Sequence, residues 1–316
     1  MFEKDKTEKI SVVIATYNGS QTIEETLKSC FSQSELPKEV IIVDDASTDD
    51  TVDIVKKFDF RGIPVKIIEN RKNFGGPAKP FNTGIACATG SLIATLEQDD
   101  LWHRDKLTLS RKAFESLPEA GLVYSDNESF ENKAPKLADV SIDKAVLPRL
   151  IPADEAVKLA MEKQFTLSLS NMVFRKPRWK AAGGLPEKFK ICTDYNFLVR
   201  LLRAGCRVAH IPETLVYYRV HPKSVWLTSD YIRRNLERYS AVDSLCRAFP
   251  RLVEPRIREE AGSKIFDIAY KSAATGKCFQ AIRFYLWSLR YGVLPAKVFR
   301  SIARVLIKLA FRKEYE

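Results

Sequence analysis

Residues 10 to 126 alternate short apolar runs, rich in β-branched residues, with stretches of helical spacing, and few folds satisfy that alternation. The first run, Ile10-Ser11-Val12-Val13-Ile14-Ala15, is almost continuously apolar, as expected of a strand buried on both faces. Val40–Val43, Val65–Ile68, Leu92–Leu96 and Leu122–Tyr124 repeat the signal. Helical spacing lies between them, over Gln21–Ser32, from about Asp50, over Pro77–Ala88 and over Asp105–Ser116. Strands alternating with helices imply right-handed crossovers and a mainly parallel sheet flanked by helices, an α/β fold.

The pattern then loosens. Residues 127–150, with Pro135 and Pro148, read as an irregular excursion. A helix over Asp154–Lys163, a strand over Leu167–Phe174, a loop at Gly183-Gly184, a helix over Tyr195–Arg203 and a strand over Val208–Ile211 follow. From about Ser229 the β signal stops and the chain reads as all helical. The expected division is a catalytic domain over 1–226 and a helical, basic region over 227–316. Six cysteines with no C-x-x-C spacing suit reduced thiols better than disulfides or a zinc site. The charged start, Met1 to Lys9, has no signal-peptide core, and no apolar run reaches membrane-spanning length. A cytoplasmic protein is the expectation.

Chemistry is expected outside the carboxyl ends of the parallel strands. The first strand ends in Thr16-Tyr17-Asn18, the second in Asp44-Asp45 and the fourth in Glu97-Gln98-Asp99-Asp100. Carboxylates at such tips are costly unless solvated, paired or metal-bound. Asp49 and Asp50 suit helix capping; Asp44-Asp45 sits at the tip itself. Mg²⁺ and Mn²⁺ take oxygen ligands, typically one or two carboxylates plus substrate phosphates. There is no Walker sequence, and Gly75-Gly76-Pro77 is not a dinucleotide fingerprint.

These segments, in this order, resemble glycosyltransferase family 2 with its GT-A fold. The likeness rests on Ser11-Val-Val-Ile-Ala-Thr-Tyr-Asn18, Val-Asp-Asp-Ala-Ser-Thr-Asp49, Asn73-Phe-Gly-Gly-Pro77, Asn82-Thr-Gly-Ile85 and Leu-Glu-Gln-Asp-Asp100. It continues through Gly183-Gly-Leu-Pro-Glu187, Thr193-Asp-Tyr195 and Tyr218-Arg-Val-His-Pro-Lys-Ser224, covering roughly residues 9–226. The resemblance implies a Rossmann-like nucleotide-binding half and an inverting transferase that takes a hexose or N-acetylhexosamine from a nucleoside diphosphate, UDP favoured. It implies that Thr16, Tyr17, Asn18, Asp44 and Asp45 hold the nucleotide. Asn73, Gly76, Lys79, Glu97 and Gln98 complete the donor site. Asp99, in the D-x-D position, would ligate Mn²⁺ or Mg²⁺. Asp194 matches the catalytic base, with helix capping as its local alternative. His221 matches a position that in some members reaches the metal, and on local grounds is nearly as good a structural hydrogen-bonder. Three departures stand out: Glu97 for the usual aspartate, Thr193 beside the base, and Phe81 where an arginine often precedes the asparagine. The implied acceptor is a saccharide hydroxyl, lipid-linked in one reading, in surface polysaccharide or glycolipid assembly.

Charge is unevenly spread. The chain carries +11, and Lys271–Glu316 holds ten Lys/Arg against two Asp/Glu, leaving +3 on the other 270 residues. Over Pro295–Arg312, Lys297, Arg300, Arg304, Lys308 and Arg312 fall on one side of a helical wheel, and Val298, Ile302, Val305, Leu306 and Leu309 on the other. A basic amphipathic helix suits an anionic membrane surface; packing on neighbouring helices is the competing reading. A sugar-phosphate nucleotidyltransferase is the runner-up function, but the loop Thr16–Ser20 lacks the cation such enzymes carry there. A basic nucleic-acid binder comes third; with no recognition motif, no nucleic-acid partner is expected.

Overall fold

The computed structural model describes residues 8–131, 133–135, 140–162, 164–222 and 224–312. Lys163, at one expected helix end, and residues 132 and 136–139 of the excursion lie outside them. The chain divides into two compact units, Met1–Ala156 with Phe165–Ser224, and Val157–Gln164 with Val225–Glu316. Segment 157–164, expected in the first domain, thus groups with the second.

The first unit opens with β1 (Ile10–Thr16), α1 (Ile23–Phe31), β2 (Glu39–Asp44), α2 (Thr51–Lys57), β3 (Val65–Glu69), α3 (Ala78–Cys87) and β4 (Leu92–Glu97). β1 pairs in parallel with β2 and β4, and β2 with β3. Consecutive residues Val12, Val13 and Ile14 are all fully buried, so both faces of β1 are covered. Next come β5 (Leu101–Trp102), α4 (Lys106–Ser116), β6 (Ala120–Phe130), β7 (Arg149–Ile151) and α5 (Ala153–Met161). Then follow β8 (Met172–Arg175), α6 (Lys176–Ala181), α7 (Thr193–Arg203) and β9 (Arg207–Arg219). The nine strands form one sheet, β3-β2-β1-β4-β8-β6-β9-β5, with β7 on β9.

The sheet is more mixed than the sequence implied. β8 is antiparallel to β4 and β6, and β5 and β7 are antiparallel to β9; only β6–β9 restores parallel pairing. The strand expected over Leu167–Phe174 begins as a 3-10 turn, Leu169–Asn171, and becomes β8 only at Met172. The Asn171 side chain causes this. Its Oδ1 accepts from Ser168 N at 3.0 Å, and its Nδ2 donates to Ser125 O and Thr166 O at 3.0 and 2.7 Å, which curls the backbone. β9 runs well beyond the expected Ile211: its pairing with β6 slips between Ile211 and Thr214, a bulge that accommodates Pro212, which has no N–H to donate.

The second unit adds α8 (Val225–Thr228), α9 (Tyr231–Ala248), α10 (Pro255–Ala274), α11 (Cys278–Ser288) and α12 (Pro295–Arg312). Its core includes Ile257, Ile265, Ile268, Ala281, Tyr285 and Val298. Buried Asp243 on α9 ties it together, accepting from Trp287 Nε1 at 3.1 Å and Tyr291 OH at 2.6 Å and pairing with Arg247 at 2.7 Å. α12 is not arranged as its wheel suggested. Val298 and Val305 turn into the core, whereas Leu306, on the same expected face, is exposed together with Phe299 and Ile307. The side chains of Lys308, Phe311 and Arg312 lie outside those described. Among the described residues no helix is long and apolar enough to cross a membrane, and all six cysteines are free thiols.

Candidate active site

Three loops meet at the carboxyl ends of β1, β2 and β4. After β1 the chain turns through Asn18, which sits in the left-handed region at φ 49°. Its backbone N–H donates to Ser47 Oγ at 2.9 Å and its side-chain Oδ1 accepts from Thr48 N at 2.8 Å, stitching the β1 loop to the β2 loop. Gln98 stitches the same loop to β4: its Oε1 accepts from Tyr17 N at 2.7 Å and its Nε2 donates to Tyr17 O at 2.9 Å. The amide passes so close to Gly19 that a Cβ there would meet Oε1 at 2.3 Å. The Tyr17 ring, 44% exposed, is left facing solvent.

The β2 tip is a brace. Asp44 is buried and accepts from Thr16 Oγ1 at 2.9 Å and from Ser47 N at 2.8 Å. Asp45, also buried, accepts from Asn70 Nδ2 at 2.9 Å and from Phe74 N at 2.8 Å, holding the loop that carries Asn73 and Gly76. That loop is pinned again where Lys190 Nζ donates to Phe74 O at 2.7 Å, just ahead of α7. Gly76 packs against the Lys190 side chain, and Asn73 Oδ1 accepts from Gly75 N. Lys79 lies half-exposed near Glu187 at 3.6 Å. Asn82 receives the Gly183–Glu187 loop, donating to Leu185 O at 2.9 Å and accepting from Leu185 N at 2.8 Å and Trp179 Nε1 at 3.0 Å. Asp49 accepts from Thr51 N at the start of α2 and from Ser20 N of the β1 loop, both at 3.1 Å, whereas Asp50, at the N-cap position, makes no side-chain capping bond. Phe81 is fully buried in the core.

The acidic loop after β4 is the electrostatic centre. Asp99 Oδ2 lies 3.0 Å from His221 Nε2. Asp100 is fully buried; its Oδ1 accepts from Arg219 N at 3.0 Å, while Oδ2 has no hydrogen-bond partner. Burial, with Asp99 next door, pushes the Asp100 carboxyl up to about 8. The Glu97 carboxyl is raised well above its ordinary range by its enclosure and then by the charges of Asp100, Asp99 and Asp194. Asp194 therefore reaches this cluster electrostatically from the first turn of α7, where its Oδ1 also accepts from Tyr195 N at 2.7 Å. The phenol of Tyr218 is raised by burial and by the same four carboxylates.

The structure thus brings Glu97, Asp99, Asp194 and His221 to one place, and sets Thr16, Asp44, Asp45 and Gln98 as the framework around Tyr17 and the Asn73–Gly76 loop. Arg219, Tyr218 and Ser170 join the site without having been given a role from the sequence. Arg219 donates from Nε to Asp99 O at 2.9 Å and from Nη2 to Glu25 at 2.5 Å, with its guanidinium 4.6 Å over Phe130. Ser170 Oγ accepts from Glu97 N at 3.0 Å. Arg219 and Tyr218 flank His221 in the quoted motif, which was the available signal; Ser170 had none, because only the fold brings β8's leading turn beside β4.

The donor set suits Mn²⁺ or Mg²⁺: one carboxylate and one imidazole side by side, further carboxylates within electrostatic reach, and a buried oxygen without a partner. Among the described residues no group of three or more His, Cys, Asp or Glu side chains stands where it could hold a metal ion.

The family model described as "Glycosyl transferase family 2" matches residues 11–158. An uncharacterised glycosyltransferase of Nostoc sp. is 28% identical over 217 residues, which is 67% of this chain and 65% of that protein. The poly(ribitol-phosphate) beta-N-acetylglucosaminyltransferase TarS of Staphylococcus aureus is 27% identical over 237 residues, 71% of this chain and 38% of TarS. The chain therefore spans under two thirds of each of these relatives. The crystal structure of TarS 1-349 with UDP-GlcNAc superposes with a TM-score of 0.65 at 20% identity, covering 92% of this chain and 82% of that one. A mannosyltransferase of Pyrobaculum calidifontis, solved with GDP-Man and Mn²⁺, gives 0.54 at 20% identity over 98% and 87%. The architecture is accordingly the GT-A fold. The family model runs from β1 into α5 with the acidic loop inside it, and over this stretch, just under half of the chain, the sequence is similar to glycosyl transferase family 2.

Proposed function

We propose that the protein is an inverting glycosyltransferase that moves a hexose or N-acetylhexosamine from a UDP-sugar to a saccharide hydroxyl in surface polysaccharide or glycolipid assembly. One observation carries this reading: Asp99 beside His221, with Glu97, Asp100 and Asp194 in the same electrostatic cluster at the carboxyl ends of the parallel strands. The names of the relatives support the donor and acceptor classes, TarS as an N-acetylglucosaminyltransferase on a ribitol-phosphate polymer and a solved complex with UDP-GlcNAc.

In this reading the Tyr17 ring stacks on the base, and Asp45 and Asn18 hold the nucleotide end of the crevice. Asp99 and His221 would hold Mn²⁺ or Mg²⁺, with Glu97 alongside, and the ion would supply positive charge against the charge that grows on the departing diphosphate. Asp194 accepts the acceptor hydroxyl's proton as that oxygen attacks the anomeric carbon opposite the leaving group, which inverts the centre. Such a base contributes on the order of 10²–10⁴-fold. Its fixed position in the first turn of α7 orients it for that role.

The acceptor in this reading is lipid-linked, and the basic helical unit meets the cytoplasmic face of an anionic membrane, where 271–312 holds nine Lys/Arg and no Asp or Glu. A melting-shift screen of UDP, GDP, dTDP and their sugars, with and without Mn²⁺, tests the donor. The expected result is a UDP-selective shift that Mn²⁺ enlarges. Absence of any nucleotide shift, or indifference to metal, overturns the reading.

A further inference from the structure

Both α11 and the more basic α12 carry exposed apolar groups, Phe279 and Leu286 on the first and Phe299, Leu306 and Ile307 on the second, but α11 has a hollow beside its outward face. α12 spends Val298 and Val305 on the core, and Lys297 Nζ sits 4.4 Å over the Phe266 ring. α11 presents a different outward face. Phe279, Arg283, Leu286 and Arg290 recur at intervals of four, three and four, the last in the 3-10 turn that continues the helix, and all four are exposed. Phe279 is 82% and Leu286 47% accessible. Such spacing keeps all four on one side of a helix. The face therefore alternates an apolar group with a guanidinium.

Beside it lies a hollow of about 590 Å³ between α9 and α11. Its lining includes Arg283, Arg290, Gln280, Ser240, Phe284 and Trp287. The Trp287 N–H is already committed to Asp243, so the indole offers only its ring. Asp243 is likewise committed to Arg247 and Tyr291. Neither Arg283 nor Arg290 makes a hydrogen bond or ion pair with any described residue. Two uncompensated guanidiniums at one cavity mouth, with apolar groups on either side, match a phosphate group whose attached chains are apolar.

We propose that this face of α11 with its hollow is a phospholipid-headgroup site, through which the protein seats on an anionic bilayer. Arg283 and Arg290 take the phosphate, and Phe279 and Leu286 enter the headgroup boundary. The committed occupant is the bilayer because charge complementarity extends beyond the pocket: the 42-residue stretch 271–312 has no acidic side chain to repel such a surface. The inference rests on the peripheral reading given under the proposed function and stands apart from the transfer chemistry.

The test is sedimentation of the full chain with phosphatidylcholine vesicles and with vesicles in which about a third of the lipid is phosphatidylglycerol, at about 0.1 M salt. Three proteins are compared: wild type, Arg283→Ala/Arg290→Ala, and Arg300→Ala/Arg304→Ala. Wild type is expected to pellet only with anionic vesicles, and the α11 double variant to bind about 30-fold more weakly. The α12 double variant is expected to lose clearly less. Equal losses in the two variants, equal binding to neutral vesicles, or no binding at all each overturn the proposal. A melting shift with inorganic phosphate but no pelleting assigns the site to free phosphate and overturns it as well, as does a dimer in light scattering that Leu286→Glu dissolves. An unchanged UDP-induced melting shift in the α11 variant shows that fold and donor site are intact. Failure here is thereby distinguished from failure of the transferase reading.

Discussion

At the residue scale, the proposed transfer separates groups in the acidic cluster that do chemistry from groups that hold them. Asp194→Asn is expected to lower kcat by about 10²–10⁴-fold while leaving the UDP-induced melting shift intact, because the base acts on the acceptor proton alone; loss of nucleotide binding as well would assign it to the donor site. His221→Ala is expected to abolish the Mn²⁺ enhancement of that shift with much less effect on the shift without metal, read in the same assay. Lys106 makes a different statement. It is fully buried, donates to Asn171 O at 2.8 Å and Ser125 Oγ at 3.2 Å, and burial pushes its ammonium down to about 7. Between about pH 7 and the ordinary lysine range the unfolded chain carries this proton and the native one does not. Stability from this group therefore rises with pH across that window, by up to about 1.4 kcal/mol per pH unit. Lys106→Met is expected to flatten the rise in denaturant midpoint between pH 7 and 9.5; an unchanged slope would show that the proton stays on in the native state. The acidic cluster was legible from sequence because carboxylates directly after an apolar strand are too costly to place there unless they pair, bind a cation or meet water. Lys106 was not: its charge sits inside an amphipathic helix pattern, and only the packing of β6 and the Asn171 turn shows that it points inward.

At the scale of elements, the loops around the crevice are tied by side-chain amides and hydroxyls more than by regular structure. Gly19→Ala tests this directly. The added Cβ displaces the Gln98 amide and breaks both of its bonds to Tyr17, so a loss of about 1–3 kcal/mol in stability and a raised donor KM with little change in kcat are expected. Unaltered donor KM would mean that the clamp does not shape the nucleotide site. The first four strands and their helices could be read in advance, because both faces of β1 and β2 are covered and their apolar runs are nearly unbroken. The later sheet resisted reading for specific reasons. β5 has two residues, too few for any period. β9 continues past Pro212, which normally ends a strand, by absorbing it in a bulge. β8 is preceded by apolar residues that look extended until the Asn171 capping box turns them. The far end of β9 and the turn before β8 deliver Tyr218, Arg219 and Ser170, so the supporting half of the site was hidden with them.

At the scale of the whole chain, the two compact units carry different tasks in the proposed reading. Every proposed donor-site and catalytic residue belongs to the first. Scanning calorimetry is expected to show two transitions, of which UDP with Mn²⁺ raises only one; at a hundredfold excess over Kd the gain is about 2.7 kcal/mol. A single transition that shifts as a block would instead show strong thermodynamic coupling of the units. The α/β-then-helical order was visible in the sequence, while the outward face of α11 was not, since exposure of Phe279 and Leu286 follows from which sides of the helices meet. The Gln98 clamp has a last consequence. It grips position 17 by main-chain atoms only, so the loop's shape does not depend on which side chain stands there. If the Tyr17 ring stacks on the base as proposed, a single codon change at that position retunes base preference without refolding its surroundings.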